Sequence, residues 1–213
     1  MGWFTRFTRF GDPHLVYSQE ADNSCGIACV RMVVFKTNKL TPGSKATYAE
    51  QQIYTRYSIA SSATYTGSAY TFTNHLATTL NGLDCGVWEQ ANVGVNGVSD
   101  AIFDSVGTDY VGAGPIANAI HRNWPIIVLV HWDANNAHFV CVDTVNNFLG
   151  STYASVCDPW DGDVHITPIK RGSPFGYVGQ PNRSSWAIGT PEHNYSGGGS
   201  SGAAQGWVVR RKS

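Results

Sequence analysis

The chain has 213 residues and a mass of 23.1 kDa, enough for one domain with a core of its own, since a chain of this length hides about 70% of its unfolded surface on folding. Charged residues make up 14% against about 25% in ordinary globular chains, and aromatic residues reach 12%, which excludes disorder. Fourteen Lys and Arg against fifteen Asp and Glu leave a net charge of −1, so no basic excess exists to draw nucleic acid. The longest apolar run, 125–130, is far short of the roughly 20 residues that cross a bilayer, so no membrane span is expected. The first ten residues lack an apolar leader, and Arg6 stands where a myristoylation signal needs Ser or Thr. The expectation is a cytoplasmic protein, or one carried elsewhere by a delivery system. Five cysteines, odd in number and without Cys-x-x-Cys spacing, argue for reduced thiols over a disulfide framework or a zinc site. No Walker motif is present, and no cofactor is expected.

In chain order, residues 1–18 form an N-terminal arm whose Phe-Thr-Arg-Phe-Thr-Arg-Phe stretch is too short to count as a repeat. Apolar residues at three- and four-residue steps then give a helical half, 19–122, with helices predicted over 24–37, 48–60, 73–80, 97–106 and 115–122. Residues 61–73, rich in Ser, Thr, Ala and Tyr, need not be a linker. From 124 to 213 short apolar runs cut by Gly, Pro, Asn and Asp give a sheet half, with strands predicted over 126–132, 137–144, 152–157, 165–169 and 207–210. Asn135-Asn136, Asn146-Asn147 and Asp161-Gly162 are placed to turn tightly between them, giving a four-strand meander. Strand 137–144 is apolar on both faces and is expected at the centre. Residues 196–204, nearly all Gly, Ser and Ala, read as flexible coil. The fold class is therefore α+β, in one domain spanning 1–213.

The sharpest chemical signal is Cys25, placed where a loop becomes an apolar helix. Unpaired N–H groups and the positive end of the helix dipole there favour a thiolate. Gly26 leaves room beside the sulfur. Gln19, six residues upstream, can fold back so that its amide joins the Cys25 N–H as an oxyanion donor. Cys29, one turn on, reads as core. A thiolate needs an imidazole, and His138 opens the central strand; alternation groups it with Val140 and Val142, on the face expected to pack against the helix of Cys25. Asp158 ends the next strand before Pro159, within reach of His138 to fix its tautomer. Nucleophile, base and orienting acid are then assembled. His131 is the rival base. Asp161 and Asp163 read as solvated turn acids, and His14, His75, His121, His165 and His193 show no ligand spacing, so no metal is expected.

These residues resemble the double-glycine leader peptidases, papain-like domains that precede bacteriocin-exporting ABC transporters. The family's Gln, five residues, then Cys-Gly-x-Ala and an apolar helix with Met is matched by Gln19, Cys25, Gly26, Ala28 and Met32. Its His with an aromatic-aliphatic strand and later Asp-Pro is matched by His138, Phe139, Val140, Asp158 and Pro159. Asn123-Trp124-Pro125 resembles the family's Gly-x-Pro, with Asn123 in place of glycine. The match runs from Gln19 to Asp163, and between 39 and 114 it is one of helical pattern alone. The expectation is a stand-alone form without the transporter, and the chain is longer than the family's peptidase domain. The resemblance implies a papain-like fold and peptide-bond cleavage through an acyl-enzyme, after small residues such as Gly-Gly. In it Cys25 is nucleophile, His138 base then acid, Asp158 orienter and Gln19 oxyanion donor. A protein or peptide is the implied substrate. Use as a delivered antibacterial toxin would imply an immunity protein that blocks the cleft. Two other readings share these residues: an acyl-transfer enzyme (transglutaminase or glutamine deamidase), and a binding module that has lost catalysis.

Overall fold

The computed structural model describes residues 2–8, 10–37, 48–110, 124–132, 136–178, 185–188 and 201–212. The chain begins with two paired strands, β1 (Gly2–Thr8) and β2 (Pro13–Ser18), where a plain arm was expected. Their period of two is hidden because the buried side chains of β1 are Arg6 and Thr8, not apolar ones. Next comes α1 (Cys25–Thr37). Ala28 N–H donates to Ser24 O at 2.9 Å, which makes Ser24 the helix cap and Cys25 the first helical residue. Ile27 through Val30 and Met32 through Val34 are all buried, so α1 is apolar nearly all round and is covered on several sides. Each such side chain contributes about 1.5–3 kcal/mol.

Helices α2 (Glu50–Ser61) and α3 (Thr73–Asn81) lie against α1. The segment between them is ordered, with Tyr65 packed between Tyr54 and Tyr57 at ring separations of 5.0 and 4.8 Å. Tyr65 Oη donates to Asn23 O at 2.9 Å, and Asn23 Nδ2 donates to Ser68 O at 2.7 Å. Residues 62–72 are thereby tied to the loop that delivers Cys25. Strand β3 (Trp88–Asn92), absent from the sequence reading because its side chains do not alternate, precedes α4 (Gly94–Val106), which starts one turn earlier than expected.

After the short β4 (Asp109–Tyr110) the chain enters the sheet proper. The strands that follow are β5 (Ile126–His131), β6 (Ala137–Phe148), β7 (Ser151–Asp158), β8 (Asp163–Pro168), β9 (Gly176–Val178), β10 (Ser185–Ile188) and β11 (Ser201–Arg211). Strands β5 to β8 form the expected antiparallel meander, within an eight-stranded sheet ordered β3-β11-β5-β6-β7-β8, to which β4 adds on β6 and β9 on β11. A second sheet, β10-β1-β2, holds the N-terminal strands. The architecture is α+β.

Two details differ from expectation. Asn146 and Asn147 continue β6, and the turn falls on Leu149 and Gly150, whose φ of 50° and 79° are both left-handed. Residues 201–204, read as coil, open β11, where Ala204 pairs with Val130; small side chains fit a strand that others cover closely. The predicted helix 115–122 and residues 196–200 lie outside the described residues. No helix among the described residues is long and apolar enough to cross a membrane.

The sheet separates two cores. Val128, Val140, Val142 and Val156 pack with Val98, Ile102 and Val106 of α4, whereas Ile127, Phe139, Cys141 and Cys157 pack with α1. Strand β6 is thus apolar on both faces, as its sequence implies. Helix α1 reaches α3 through Gly26, where a Cβ would lie 2.2 Å from Thr71 Oγ1 and 3.0 Å from Leu76 Cδ1. Gly26→Ala is therefore expected to cost about 1–3 kcal/mol. Thermal unfolding checks this, and an unchanged midpoint would contradict the close approach.

Candidate active site

Cys25 stands at the N-terminus of α1, where the first-turn N–H groups have no carbonyl partner inside the helix. It is buried, with 8% of its surface exposed, and lies at the edge of the core, where it borders the two clefts described below. His138 is the second residue of β6. By alternation it shares a face with Val140 and Val142, but α4 covers that face and α1 packs on the other. The expected route to contact is corrected accordingly. Cys25 meets His138 at the end of the sheet, where Ala137 opens β6 and lines both clefts described below.

Asp158 closes β7. The pairing of Cys141 with Cys157 sets Asp158 opposite Val140 and makes it a diagonal neighbour of His138 on one face. His138 Nε2 and Asp158 Oδ1 are 2.7 Å apart, with both residues buried. Nε2 being engaged, Nδ1 is the nitrogen left for the hydrogen bond between His138 and Cys25. Burial works against the imidazolium, but the Asp158 carboxylate and then the Cys25 thiolate more than offset it, raising the His138 pKa to about 10. The structure thus brings together Cys25, His138 and Asp158. The rival base His131 ends β5, in register with Ala137, and lines neither cleft.

Gln19 is buried beside them, but its amide is committed elsewhere: Nε2 donates to Ala21 O at 2.8 Å and to Asp22 O at 2.9 Å. It braces the loop that carries Cys25. Cys29, read as core, is wholly buried, and burial pushes its thiol pKa well up.

Several residues of the site carry no sequence signal. Tyr177 Oη, from the three-residue β9, donates to Asp158 Oδ2 at 2.6 Å; burial and then Asp158 keep its phenol protonated. Trp160 N–H donates to Asp158 Oδ1 at 2.8 Å. Trp132 stacks on His138 with ring centres 4.2 Å apart, and Trp160 meets Trp132 edge-on at 5.4 Å. Asp161 and Asp163, expected to be solvated, are 2% and 1% exposed. Each has a cation: His165 Nε2 lies 2.7 Å from Asp161 Oδ2, and Arg6 Nε lies 3.4 Å from Asp163 Oδ1. The Asp-Gly turn was legible, but the buried cations that fold over it come from other strands.

Two clefts meet at Cys25. One, of about 570 Å³, is lined by Thr71, Phe72, Leu129, Phe139 and Trp207. The other, of about 340 Å³, is lined by Asn23, Trp132, Asn136, His138 and Trp160. Cys25, Tyr70 and Ala137 border both. Two clusters have metal-ligand chemistry, with ligand atoms within 4.8 Å of one another: Asp158 with Asp161 and His165, and His14 with Asp143 and Cys157. In the second, Lys36 Nζ contacts both Asp143 and Cys157 and supplies the positive charge itself. No protein-family model matches the chain, and no curated protein matches it.

The geometry makes Asp158 the reason that His138 holds a proton. In Asp158→Asn burial remains and the largest opposing influence is gone, so the imidazole is expected to titrate well below about 10. NMR titration of labelled histidines reads this, and a His138 pKa unmoved by the substitution would contradict the assignment.

Proposed function

We propose that the chain is a papain-like cysteine peptidase, with Cys25 as nucleophile, His138 as general base then acid, and Asp158 as the group that orients His138. The observation that carries this reading is that Cys25 and His138 border one cleft while His138 Nε2 lies 2.7 Å from Asp158 Oδ1, with Cys25 at the opening shared with the second cleft. A nucleophile helix packed on an antiparallel sheet that bears base and acid also supports it.

In the first step the Cys25 thiolate attacks the scissile carbonyl carbon, and the carbonyl oxygen becomes an oxyanion. The Cys25 backbone N–H, free of an intrahelical partner, is the first donor to it. Gln19 becomes the second by exchanging one of its bonds to Ala21 or Asp22 for one to the oxyanion. The C–N bond then breaks as the His138 imidazolium gives its proton to the leaving nitrogen, and a thioester remains on Cys25. Water, deprotonated by His138, attacks the thioester, releases the acid and restores the thiolate–imidazolium pair.

Proton delivery fixes the direction of the substrate. The leaving amine must lie on the His138 side, in the cleft walled by Trp132 and Trp160, so the acyl half occupies the larger, apolar cleft. Between them Cys25, Tyr70 and Ala137 form a waist that favours a small residue, such as glycine, just before the scissile bond.

The purified chain is expected to cut a Gly-Gly-containing protein, and Cys25→Ala to reduce cleavage to background; cleavage that persists in Cys25→Ala ends the assignment. Tyr70→Ala should widen the waist and raise kcat/KM for alanine over glycine before the cut by about tenfold. An unaltered preference would remove Tyr70 from substrate selection.

A further inference from the structure

The hairpin between β7 and β8 buries three carboxylates within six residues: Asp158, Asp161 and Asp163, at 0%, 2% and 1% exposure. Such a group is tolerable in the interior only if each charge is neutralised. Two of the cations, His138 and His165, come from the large sheet itself. The third, Arg6, comes from β1 in the smaller sheet and is itself wholly buried.

Arg6 does more than balance charge. Besides facing Asp163, its Nε donates to Gly162 O at 2.9 Å. Gly162 has a left-handed φ of 67°, and a Cβ there would lie 2.9 Å from the ring of Phe4, which is also on β1. The guanidinium stands over that same ring, at 4.6 Å from its centre. On its inner side the turn fixes Asp158: Gly162 N–H donates to Asp158 O at 3.0 Å and Trp160 N–H to Asp158 Oδ1 at 2.8 Å. The turn that aims the carboxylate at His138 is thus held from outside by β1.

We propose that Arg6 is a positioning residue of the active site, holding the 158–163 turn so that Asp158 presents its carboxylate to His138. The inference rests on the peptidase reading and extends the site to the N-terminal strand. Both contacts are made by Nε, the guanidinium nitrogen nearest the chain, which a lysine ammonium matches in charge but not in position. The charged and titratable groups around His138 and its carboxylate are Cys25 from α1, Asp158 from β7, Asp161 and Asp163 from the turn, His165 from β8, Tyr177 from β9 and Arg6 from β1.

The test uses the full chain in two variants. Arg6→Gln with Asp163→Asn leaves no uncompensated buried charge and keeps an acceptor for Val164 N–H, which Asp163 Oδ1 now receives at 2.8 Å. Arg6→Lys keeps the charge and loses the Nε–H that Gly162 O receives. Thermal unfolding, the rate of Cys25 alkylation by iodoacetamide against pH, and kcat and KM on a Gly-Gly substrate are measured for each. In the folded double variant kcat is expected to fall about 10- to 100-fold, and alkylation at pH 6 to slow comparably, because Asp158 is no longer aimed. KM should stay within about twofold, since no substrate contact is lost. Arg6→Lys should regain stability without regaining the rate. A folded double variant with wild-type alkylation and kcat, or full activity in Arg6→Lys, overturns this inference alone. A wild-type Cys25 that reacts at pH 6 no faster than an ordinary thiol overturns the peptidase reading and this inference with it.

Discussion

A carboxylate with no exposed surface ends a central strand, and the rest of the site is arranged around the cost of keeping it there. Leaving Asp158 unpaired would cost about 3–5 kcal/mol. Three donors prevent that: the imidazole of His138, the phenol of Tyr177 and the backbone N–H of Trp160. They come from β6, β9 and the turn after β7, so the carboxylate is satisfied only when these three pieces of the sheet are together. Charge and hydrogen bonding in a low-dielectric interior reinforce one another here, and the same reinforcement keeps His138 protonated.

The two cores explain how a helix on one side of the sheet serves an imidazole that belongs to the other. Helix α1 lies along the Phe139 and Cys141 face, but its N-terminus projects to the end of β6, where the faces are no longer separated by backbone. Residues 19–24 must hold that end in register. They do so through the Gln19 amide, the bonds of Ala21 N–H to Ser24 Oγ and of Ser24 Oγ to Ala21 O, and the grip of Asn23 and Tyr65 on the segment after α2. The wall of the larger cleft and the loop that delivers Cys25 are therefore one cross-braced unit.

Much of this was legible in the sequence, for definite reasons. The apolar run after Cys25 and the two-faced apolar strand after His138 are strong periodic signals, and Asp158-Pro159 marks a strand end. The separation of His138 from Asp158 then matched antiparallel neighbours with a short turn. What was hidden depended on pairings that no local pattern announces. Asp161 and Asp163 sit in a turn composition that ordinarily faces water, and His165 and the distant Arg6 make their burial tolerable. Tyr177 lies on three residues of strand, too short for any period. The face of His138 was read correctly by alternation, yet the helix assigned to cover it was wrong, because parity says which side chains travel together and not which element lies above them.

The protons of the buried pairs link stability to the proposed chemistry. His138 and His165 have folded pKa values of about 10 and about 9, above the ordinary 6.5, so their contribution is complete below 6.5 and is lost as pH rises through those values. At Asp143 burial is outweighed by His14 and Lys36, which hold the carboxylate below its ordinary 3.8; that contribution is present above 3.8 and is lost as pH falls. Between 3.8 and 6.5 the contributions of His138, His165 and Asp143 are all complete. Within the same interval His138 keeps the proton that the proposed mechanism gives to the leaving amine. Loss of the His138 proton thus removes a contribution to the fold and, in the proposed mechanism, the acid that the leaving amine needs.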